Sequence, residues 1–588
     1  MLVSSSILDK LNYMINPLYY DQICPNLPHI DPANKTIRDE FAKTLKEKWS
    51  NNKLHDIDYK ADDLAAMLAF SPYLQRLALR HHNDISVNLQ SPNFQQIELA
   101  RVTFINEMEN ADCDAAAMRA IRKWRERSAL AIALSDIAGL HDLPTQMLWL
   151  SDAAQTVLTH TVGYLFRCAS KQGNIKFFAK DFTGCGWTVL ALGKLGAGEL
   201  NFSSDVDLIA LHDTNNAPFD SHDVVQPFFV TMTRDLIRLL STTTRDGIGW
   251  RVDLRLRPDP GATAVSIDLN AAIGYYESIA RTWERAAFIR ARPIAGDIQL
   301  GNNFLKQIQP FIWRKTLDYT VLEDMKTMLR RPPQKKGWLG YNLKTGKNGI
   351  RQIEFFIHVL QLVTGGRDTN LRDSKSLSAL DALANAGWIT QEQSDALGKA
   401  YHQLRRIEHR LQMIGDNQTH SLPRSIGDLK KFAYFMGHDD DSRFCLELSA
   451  LLNRVGQHTA HSLLDPPAQT GDGEENIRNV LIDDYDTLLS WLADNGFQRP
   501  KIVADTLSGW MAGRISATRG ERARALLNRL MPDILISLTA ADAPDDKFAA
   551  LAQFIEGLPA SVQIFSLLDH NRDLTRLLCD MLLLSPQL

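Results

Sequence analysis

The spacing of apolar residues along the first part of the chain predicts helices. Ala61–Leu79 and Ala115–Ile137 carry apolar side chains three and four residues apart, and both are rich in Ala, Leu and Arg, which favour the α-helix. Thr145–Phe166 repeats this pattern immediately after Pro144 and predicts one more helix. We therefore expect an N-terminal helical region over residues 1–145.

The pattern changes in the next part of the chain, where short uncharged runs replace the helical spacing. Trp187–Leu192 and Val206–Leu211 are such runs, and glycines bound the first of them. Gly249–Arg257 alternates strictly between apolar and charged residues, which is the two-residue period of a β-strand. Ser221–Thr243 has apolar residues on one helical face and connects the second predicted strand to the third. These elements predict a small α/β domain over residues 146–304.

Beyond this domain the helical spacing returns, and we expect no further strand. The predicted helices are Asn348–Thr364, Ser376–Ala386, Glu392–Ile414, Asp428–Met436 and Ser442–Asn453. They define a helical domain over residues 305–464. Asp465–Glu475 is rich in proline, glycine and acidic residues, which predicts a linker before a last helical region over residues 476–588. The predicted fold class is α+β and mostly α-helical, with the small α/β domain flanked by helical domains.

Composition and charge exclude several classes of protein. The 588 residues include 65 Lys and Arg against 69 Asp and Glu, whereas a general nucleic-acid coat needs a strongly basic surface. The 6 cysteines are too scattered for a disulfide framework or a zinc module, which indicates reduced thiols. No secretory signal is evident, and no uncharged apolar stretch reaches the roughly 18 residues of a membrane span. We expect a soluble, cytoplasmic protein that binds neither nucleic acid nor membrane.

One stretch, Ala191–Leu211 (ALGKLGAGELNFSSDVDLIAL), carries residues suited to chemistry. A glycine turn follows the first predicted strand, and Asp205 and Asp207 lead into the second. Side chains two residues apart on a strand point the same way, so these carboxylates would lie side by side. Two such carboxylates repel each other unless a cation lies between them, and their oxygens suit Mg²⁺.

A third carboxylate, Asp253, lies on the polar face of the strand predicted over Gly249–Arg257. Three aspartates on two strands can hold two metal ions, which would clamp the attacking and leaving oxygens of a phosphoryl displacement. The glycine turn would let backbone N–H groups approach the phosphates. The alternative is that the acids only cap turns, although three acids that converge on apolar strands are hard to satisfy in that way.

These segments resemble the family of bifunctional glutamine synthetase adenylyltransferase/adenylyl-removing enzymes, whose catalytic domains are polymerase-β-like nucleotidyltransferases. The matching segments are GKLGAGELNFSSDVDLI (193–209), WRVDLRLRP (250–258), YYESIARTWERAAFIRARPIAGD (275–297) and NLKTGKNGIRQIEFFIHVLQLVTGGRD (342–368). They follow the family order, and the resemblance is dense over about residues 60–420.

The resemblance implies a particular activity. One half of the family enzyme removes AMP from a tyrosine of glutamine synthetase by phosphorolysis, and the other half attaches it from ATP. NFSSDVD and IRQIEF resemble the adenylyl-removing half, and no second motif of this kind occurs between residues 300 and 588. The chain is therefore expected to be a fragment of a longer enzyme or a truncated gene product. The resemblance also implies Mg²⁺, ATP, ADP and phosphate as ligands, glutamine synthetase as the protein substrate and a PII signal protein as regulator.

The resemblance further implies catalytic and metal-binding roles for Asp205, Asp207 and Asp253. The residues expected to bind nucleotide or phosphate are Gly193, Lys194, Ser203, Ser204, Arg255, Arg257, Arg351 and Glu354. Related nucleotidyltransferases often carry Gly-Ser after the first strand, whereas here Gly193 precedes Lys194. The phosphate contact could therefore come from either serine or from the lysine.

A polar stripe marks one face of the helix predicted over Asn348–Thr364. Its members are Arg351, Glu354, His358 and Gln361. Such a stripe favours a face that lines a cleft, where Arg351 and Glu354 would meet nucleotide or phosphate. The alternative is an internal ion pair between them, which stabilises little by itself. Asn348 and His358 stand where the family more often has Gly and Gln.

Other basic groups have two interpretations each. Trp283 opens a predicted helix that ends in Arg290 and Arg292, and these arginines either hold phosphates or serve structure. The basic loop Arg330–Lys347 either meets an acidic partner or is a solvated loop.

Two other functions are possible on the sequence alone. The first is another nucleotidyl transfer, either ATP-dependent adenylylation or uridylylation of PII, although no His-Asp phosphohydrolase constellation typical of a uridylyltransferase follows downstream. The second is a non-catalytic fragment that binds glutamine synthetase or PII. The presence of all three acids argues against the second.

Overall fold

The computed structural model describes residues 32–51, 60–82, 93–175, 182–314, 337–460, 485–539, 543–558 and 561–570, together with residues 574 and 578. These residues form two compact units. The larger unit contains the described residues up to 314 and from 337 to 459, and the smaller contains Ala460 and those from 485 onward. The predicted linker Asp465–Glu475 lies outside the described residues. The division of the larger unit into three domains stays a prediction.

The larger unit begins with helices. They are α1 (Pro32–Asn51), α2 (Lys60–Leu68), α3 (Pro72–Arg80), α4 (Asn93–Glu109), α5 (Asp114–Ile137) and α6 (Leu143–Lys171). The second half of α5 is buried on all sides, because α3, α4 and α6 pack against this helix. The Trp124 indole N–H donates to the Ala153 carbonyl at 3.0 Å and joins α5 to α6.

The apolar spacing predicts one helix over Ala61–Leu79, and this prediction is wrong. The chain forms α2 and α3 instead, because Pro72 has no N–H and is accommodated only in the first turn of a helix. Ser71 caps α3, since its hydroxyl accepts from the Leu74 N–H at 3.0 Å. The same hydroxyl donates to the Met413 carbonyl at 2.6 Å and fixes the break against another helix.

A mixed sheet follows, with the strands β1 (Trp187–Ala191), β2 (Val206–His212), β3 (Val252–Asp253), β4 (Ser266–Asp268) and β5 (Arg292–Gly296). The strand order is β3-β2-β1-β5, and β4 pairs with β2 further along that strand. β1 is antiparallel to β2 and β5, whereas β2 is parallel to β3 and β4. The parallel pairing of β2 with β3 is the feature that builds the site described below.

Both faces of the sheet are covered by helices. These are α7 (Gly193–Gly196), α8 (Val225–Ser241), α9 (Leu269–Ser278), α10 (Thr282–Phe288), α11 (Ile298–Gln307) and α12 (Gln309–Ile312). Trp187 of β1 stacks on Phe229 of α8, with ring centroids 6.0 Å apart. Leu190 of the same strand joins a buried cluster with Tyr276 of α9 and Phe304 of α11. Because β1 is buried on both faces, its residues are uncharged throughout.

The strict alternation over Gly249–Arg257 predicts a longer strand than the structure contains. Only Val252–Asp253 pairs with β2, because the chain turns directly after this segment. The Arg255 N–H donates to the Asp253 carboxylate at 2.8 Å, which closes the turn.

The predicted helix that ends in Arg290 and Arg292 is also longer than the observed one. α10 stops at Phe288, and Arg292 is the first residue of β5. Pro293 interrupts the helical pattern and is tolerated in β5, which is an edge strand of the described sheet. Neither β4 nor β5 is predicted from the sequence.

The rest of the larger unit is helical. Its helices are α13 (Ile350–Thr364), α14 (Ser376–Asn385), α15 (Gln391–Gly415), α16 (Ile426–Phe435) and α17 (Asp441–Ala460). α15 packs against α3, α13 and α14. Thr390 and Gln393 form a capping box that fixes the beginning of α15.

The smaller unit has its own helices and its own core. The helices are α18 (Tyr485–Asp494), α19 (Pro500–Met511), α20 (Glu521–Thr539), α21 (Pro544–Glu556) and α22 (Ser561–His570). Leu507, Trp510, Leu527 and Leu535 lie at the centre of a buried apolar cluster. The prediction of a mostly α-helical α+β chain is therefore confirmed. Among the helices described here, none has the length and apolar character needed to span a bilayer.

Candidate active site

The structure brings Asp205, Asp207 and Asp253 together, and we call these three residues the acidic triad. Asp205 directly precedes β2 and Asp207 is its second residue, so both side chains lie on the same face. The parallel register of β2 and β3 pairs Asp207 with Asp253. One carboxylate oxygen of each residue lies within 4.8 Å of the other two. All three residues are half-buried, so the carboxylates converge where a small ion can reach them.

The triad carries strong electrostatic repulsion. Burial, followed by the charges of Asp205 and Asp253, raises the pKa of Asp207 to about 7. Burial also disfavours the charged form of Asp253, but the hydrogen bonds from Arg255 outweigh it and lower the pKa of this carboxyl. The Arg255 guanidinium donates to the Asp253 carboxylate at 2.5 Å from its Nη2 atom. Arg255 therefore outweighs the effect of burial at Asp253, whereas at Asp207 its charge also lowers the pKa but is outweighed by burial and by the two other acids.

The residues present fit a divalent cation. Three convergent carboxylates supply the hard oxygen ligands that Mg²⁺, Ca²⁺ and Mn²⁺ prefer. Gly193 forms the wall beside them, with a left-handed φ of +54°. A Cβ at this position would overlap the Asp207 carboxylate, so only glycine leaves that carboxylate in place.

The glycine turn between β1 and β2 uses most of its backbone donors internally. The N–H groups of residues 196–199 donate to carbonyl groups of residues 192–195. A phosphate bound at this turn would therefore contact N–H groups at the start of the turn, near Gly193.

Lys194 is buried and forms an ion pair with Glu354 of α13. Arg290 donates to the same Glu354 oxygen at 3.1 Å. The pairing joins the glycine turn after β1 to a helix far along the chain. These residues belong to a larger buried network, which consists of Lys194, Glu199, Arg290, Glu354, Tyr401 and Arg405.

The buried network also fixes the end of the glycine turn. The Glu199 carboxylate accepts from the Ser376 N–H at 2.8 Å and from the Tyr401 hydroxyl at 3.0 Å. Arg405 donates to the Tyr401 hydroxyl and to the Glu199 carbonyl, both at 2.5 Å. α14 and α15 therefore hold the backbone that leads into Asp205.

Charge balance within the buried network depends on Glu354. Burial lowers the pKa of Lys194 to about 8, and Arg405 acts in the same direction. Burial opposes ionisation of Glu354, but Lys194 and Arg290 outweigh it and hold the pKa of this carboxyl well below its usual value. His358, one turn further along α13, is neutral because burial lowers its pKa to about 3.

The two predicted serines have different surroundings. The Ser203 N–H donates to the Gln412 side chain at 2.8 Å, and its hydroxyl accepts from Arg251 at 3.0 Å. Ser204 is half-buried and lines a small pocket beside Arg125. Ser203 thus ties the chain before Asp205 to α15.

The remaining predicted cations lie outside the buried network. Arg255 is largely exposed apart from its contacts with Asp253. Arg257 donates to the Leu254 carbonyl at 3.0 Å and to the Pro260 carbonyl at 2.8 Å. Arg351 lies over the Phe355 ring, 4.7 Å from its centroid.

Asn348 explains one departure from the family pattern. It has a left-handed φ of +62°, a conformation that glycine adopts without strain and asparagine tolerates better than most residues. The backbone conformation at this position therefore suits both the glycine expected from the family pattern and the asparagine found in this chain.

Lys344 is a charged neighbour of the triad that sequence reasoning missed. Its positive charge lowers the pKa of Asp207, although burial and the two other acids outweigh this effect. The signals in the sequence are its place in the basic loop Arg330–Lys347 and in the family-like segment over residues 342–368, and neither connects it to the triad. Local patterns could not connect this loop to acids so far away in the chain.

A glycine turn followed by an Asp-x-Asp pair, with a third aspartate on the neighbouring parallel strand, is the arrangement of a nucleotidyltransferase domain. The comparison with protein families is more specific, since residues 61–307 match the family model of glutamate-ammonia ligase adenylyltransferase. Over these residues the chain is similar to that family. Residues 322–463 match a different family model, that of GlnD PII-uridylyltransferase.

Curated relatives carry the name bifunctional glutamine synthetase adenylyltransferase/adenylyl-removing enzyme. One from Xanthobacter autotrophicus is 42% identical over 500 residues, which cover 81% of this chain and 50% of the relative. One from Rhizobium meliloti is 38% identical over 541 residues, covering 90% of this chain and 55% of the relative. One from a Bradyrhizobium species is 40% identical over 589 residues, which cover 95% of this chain and 58% of the relative. The chain thus spans about half the length of the relatives it matches.

Proposed function

We propose that this chain removes AMP from an adenylylated tyrosine of glutamine synthetase by phosphorolysis, as part of the control of nitrogen assimilation. The observation that carries the proposal is the acidic triad beside Gly193, in a chain whose relatives are named adenylyltransferase/adenylyl-removing enzymes. NFSSDVD and IRQIEF resemble the adenylyl-removing half, which favours removal over attachment.

The reaction balances as a single displacement at phosphorus. An oxygen of hydrogen phosphate forms a bond to the adenylyl phosphorus, and the bond from that phosphorus to the tyrosine oxygen breaks. The electron pair of the broken bond stays on the tyrosine oxygen, which takes the proton that hydrogen phosphate carried. The products are ADP and a free tyrosine hydroxyl. Because phosphate is already an anion, the site needs no strong general base, and positioning with charge neutralisation supplies most of the catalysis.

We assign the ion to Mg²⁺ and its binding to Asp205, Asp207 and Asp253. Bound Mg²⁺ would neutralise the charge that develops on the phosphate oxygens. Gly193 gives a phosphate access to the beginning of the glycine turn. Lys194 has Glu354 as its buried partner, so we propose that this pair supports the turn and does not contact phosphate.

The remaining predicted residues fall into two groups, those that contact the nucleotide and those that position the chain around the triad. We propose that Ser204, Arg255 and Arg351 contact the nucleotide, because each is at least partly accessible to solvent. Ser203 and Arg257 would position the segments before Asp205 and after Asp253, because their polar groups bond protein groups there.

A PII signal protein is the proposed regulator. The match of residues 322–463 to the GlnD PII-uridylyltransferase model supports a connection with PII. The same match favours a second candidate function, the transfer of UMP from UTP to PII at the acidic triad. The names of the relatives favour the first candidate.

The test is phosphate-dependent release of ADP from adenylylated glutamine synthetase in the presence of Mg²⁺. The parent chain is compared with Asp205→Asn and with Asp220→Asn, an exposed aspartate outside the triad. We expect release by the parent and by Asp220→Asn, and release at least roughly 100-fold slower by Asp205→Asn, since metal clamps contribute several kcal/mol.

Two results would reject the proposal. Equal rates for Asp205→Asn and the parent would separate the activity from the triad. Incorporation of UMP into PII by the parent, without ADP release from glutamine synthetase, would establish the second candidate.

A further inference from the structure

The acidic triad lies where strand pairing is short or has not yet begun. β2 begins at Val206, so Asp205 stands just outside the ladder of the sheet. β3 consists of Val252 and Asp253 only, and the chain turns at Arg255. Since pairing of this length gives the backbone few ladder hydrogen bonds, other contacts must set the separation of the carboxylates.

Arg251 holds the chain on both sides of Asp205. Its carbonyl accepts from the Val206 N–H at 2.9 Å, and Val206 directly follows Asp205. Its guanidinium donates from Nη1 to the Ser203 hydroxyl at 3.0 Å, and Ser203 stands two residues before Asp205. Arg251 itself stands two residues before Asp253. One residue thus connects the backbone around Asp205 to the backbone that leads into Asp253.

The other end of the Arg251 guanidinium is fixed at the end of α15. Its Nη2 atom donates to the Asp416 carbonyl at 2.7 Å. Asp416 has a left-handed φ of +53°, and its carboxylate accepts from Arg125 of α5 at 2.6 Å. This ion pair fixes the residue that carries the acceptor. Arg251 therefore spans two separate acceptors, which the fixed fork of donors in a planar guanidinium can do.

The backbone of Arg251 is held by its neighbour Trp250. Trp250 is buried, and its carbonyl accepts from the Ser241 hydroxyl at 3.0 Å. Its N–H donates to the Leu240 carbonyl at 3.1 Å. The Arg125 guanidinium lies over its ring, 5.3 Å from the centroid. The side chain of Arg251 therefore extends from backbone that is fixed against α8 and α5.

We propose that Arg251 is a positioning residue that holds Asp205 and Asp253 at the separation a divalent cation needs. The inference rests on the proposed function for the reaction that the cation serves, but cation binding is measured without that reaction. Residues that orient the ligands of a metal typically change its affinity by about 10-fold to 100-fold. Arg251 acts in this way through Ser203 and through the backbone of β2 and β3.

Positioning and charge alone predict opposite results at Arg251. If only its positive charge acted on the triad, removal of that charge would strengthen cation binding, because like charges repel. If its contacts position the acids, their removal weakens cation binding. Lysine keeps the charge, but its compact ammonium does not span two acceptors as the guanidinium does. Arg251→Gln and Arg251→Lys therefore separate the two explanations.

The test is calorimetric titration of Mn²⁺ alone into the full chain, with urea unfolding of each variant as the measure of folding. We expect Arg251→Gln and Arg251→Lys each to bind Mn²⁺ about 10-fold or more weakly than the parent. The matched control is Arg372→Gln. Arg372 is also half-buried, donates to the Gly365 carbonyl at 2.6 Å and lies over the Trp313 ring. This control should bind Mn²⁺ like the parent.

A milder variant keeps the test decisive if the Arg251 variants do not fold. Ser203→Ala removes one hydroxyl and leaves the bond from Arg251 to the Asp416 carbonyl in place. We expect it to bind Mn²⁺ roughly 3-fold or more weakly, as the loss of one hydrogen bond implies. It should add no further loss to Arg251→Gln, because the two side chains act through one contact. A folded Ser203→Ala chain with the Mn²⁺ affinity of the parent would overturn the inference.

The outcomes also distinguish this inference from the proposed function. If the parent releases no ADP from adenylylated glutamine synthetase, yet both Arg251 variants lose Mn²⁺ affinity, the function is wrong and the inference holds. If the parent releases ADP and the folded Arg251 variants bind Mn²⁺ at least as tightly as the parent, the function holds and the inference is wrong. An unchanged affinity in Arg251→Lys alone, an equal loss in Arg372→Gln or a parent that binds no Mn²⁺ also overturns the inference.

Discussion

At the scale of single residues, the ionisation of Asp207 connects metal binding to stability. Its pKa in the folded chain is about 7, against an ordinary value of 3.8. Between these pH values the folded state binds more protons than the unfolded state, so stability falls as the pH rises from about 4 to about 7. Above about pH 7 the full cost of the ionised carboxylate is present unless a cation offsets it.

We therefore expect Asp207→Asn to stabilise the metal-free protein at about pH 8, because an amide carries no charge to desolvate. A shift of about three pKa units corresponds to roughly 4 kcal/mol, and solvent screening of a half-buried group reduces this to roughly 2 to 4 kcal/mol. The difference should nearly vanish at about pH 4. Denaturant titrations of both proteins at these two pH values measure it.

The same titrations with added Mg²⁺ provide the control. Mg²⁺ should raise the free energy of unfolding of the parent and of Asp220→Asn, but much less that of Asp207→Asn. A variant that is equally stable to the parent at both pH values would contradict the link between Asp207 and the repulsion within the triad.

At the scale of elements, the ion pair between Lys194 and Glu354 connects the glycine turn to α13. We expect Glu354→Gln to lower the free energy of unfolding by about 3 to 5 kcal/mol, because Lys194 and Arg290 then lose their buried carboxylate. The matched control is Glu107→Gln. Glu107 forms an ion pair with the exposed Lys123, and the Lys123 Nζ lies 2.9 Å from its carboxylate. That control should cost about 1 kcal/mol or less. Similar losses for the two variants in urea unfolding would argue against a special role of the buried pair.

The break between α2 and α3 depends on a single hydroxyl. We expect Ser71→Ala to cost roughly 2 to 4 kcal/mol, because it removes the cap of α3 and leaves the buried Met413 carbonyl without this donor. Ser425→Ala removes an exposed cap of α16 and should cost only about 1 kcal/mol. Chemical unfolding of the two variants gives the comparison, and equal costs would mean that the Met413 contact contributes nothing.

What the sequence could predict follows from the range of the interactions. The two-residue period of a strand placed Asp205 and Asp207 together, and the polar face of the next strand predicted Asp253 beside them. The turn at Arg255 limits β3 to two residues, but Asp253 is one of these two residues and still pairs with Asp207 of β2. Local geometry was therefore sufficient for the triad.

Contacts over long distances in the chain were not predictable in the same way. One interpretation of the polar stripe of α13 predicts an ion pair between Arg351 and Glu354, whereas in the structure Lys194 and Arg290 pair with that carboxylate. Lys344 lay in a loop whose basic character has no local period. Pro72 indicates a break between two helices. The apolar spacing continues across this proline, however, and by itself predicts one continuous helix.

At the scale of the whole molecule, the described residues separate into two units with different cores. The larger unit contains the sheet, the acidic triad and the buried network. The smaller unit is built around an apolar cluster in which Trp510 stacks on Phe548, with ring centroids 5.7 Å apart. Since every residue of the cluster around Trp510 lies in the smaller unit, we expect a change in that cluster to leave the sheet and the acidic triad intact.

Differential scanning calorimetry should accordingly resolve two unfolding transitions in the full chain. Trp510→Ala is expected to cost about 3 to 5 kcal/mol in the smaller unit and to lower the Tm of one transition by roughly 10 °C or more. Mg²⁺ should raise the other transition, in which the triad unfolds, and should leave the first unchanged. A single transition that responds to both changes would mean that the two units unfold cooperatively, so that metal bound at the triad stabilises the core around Trp510 as well.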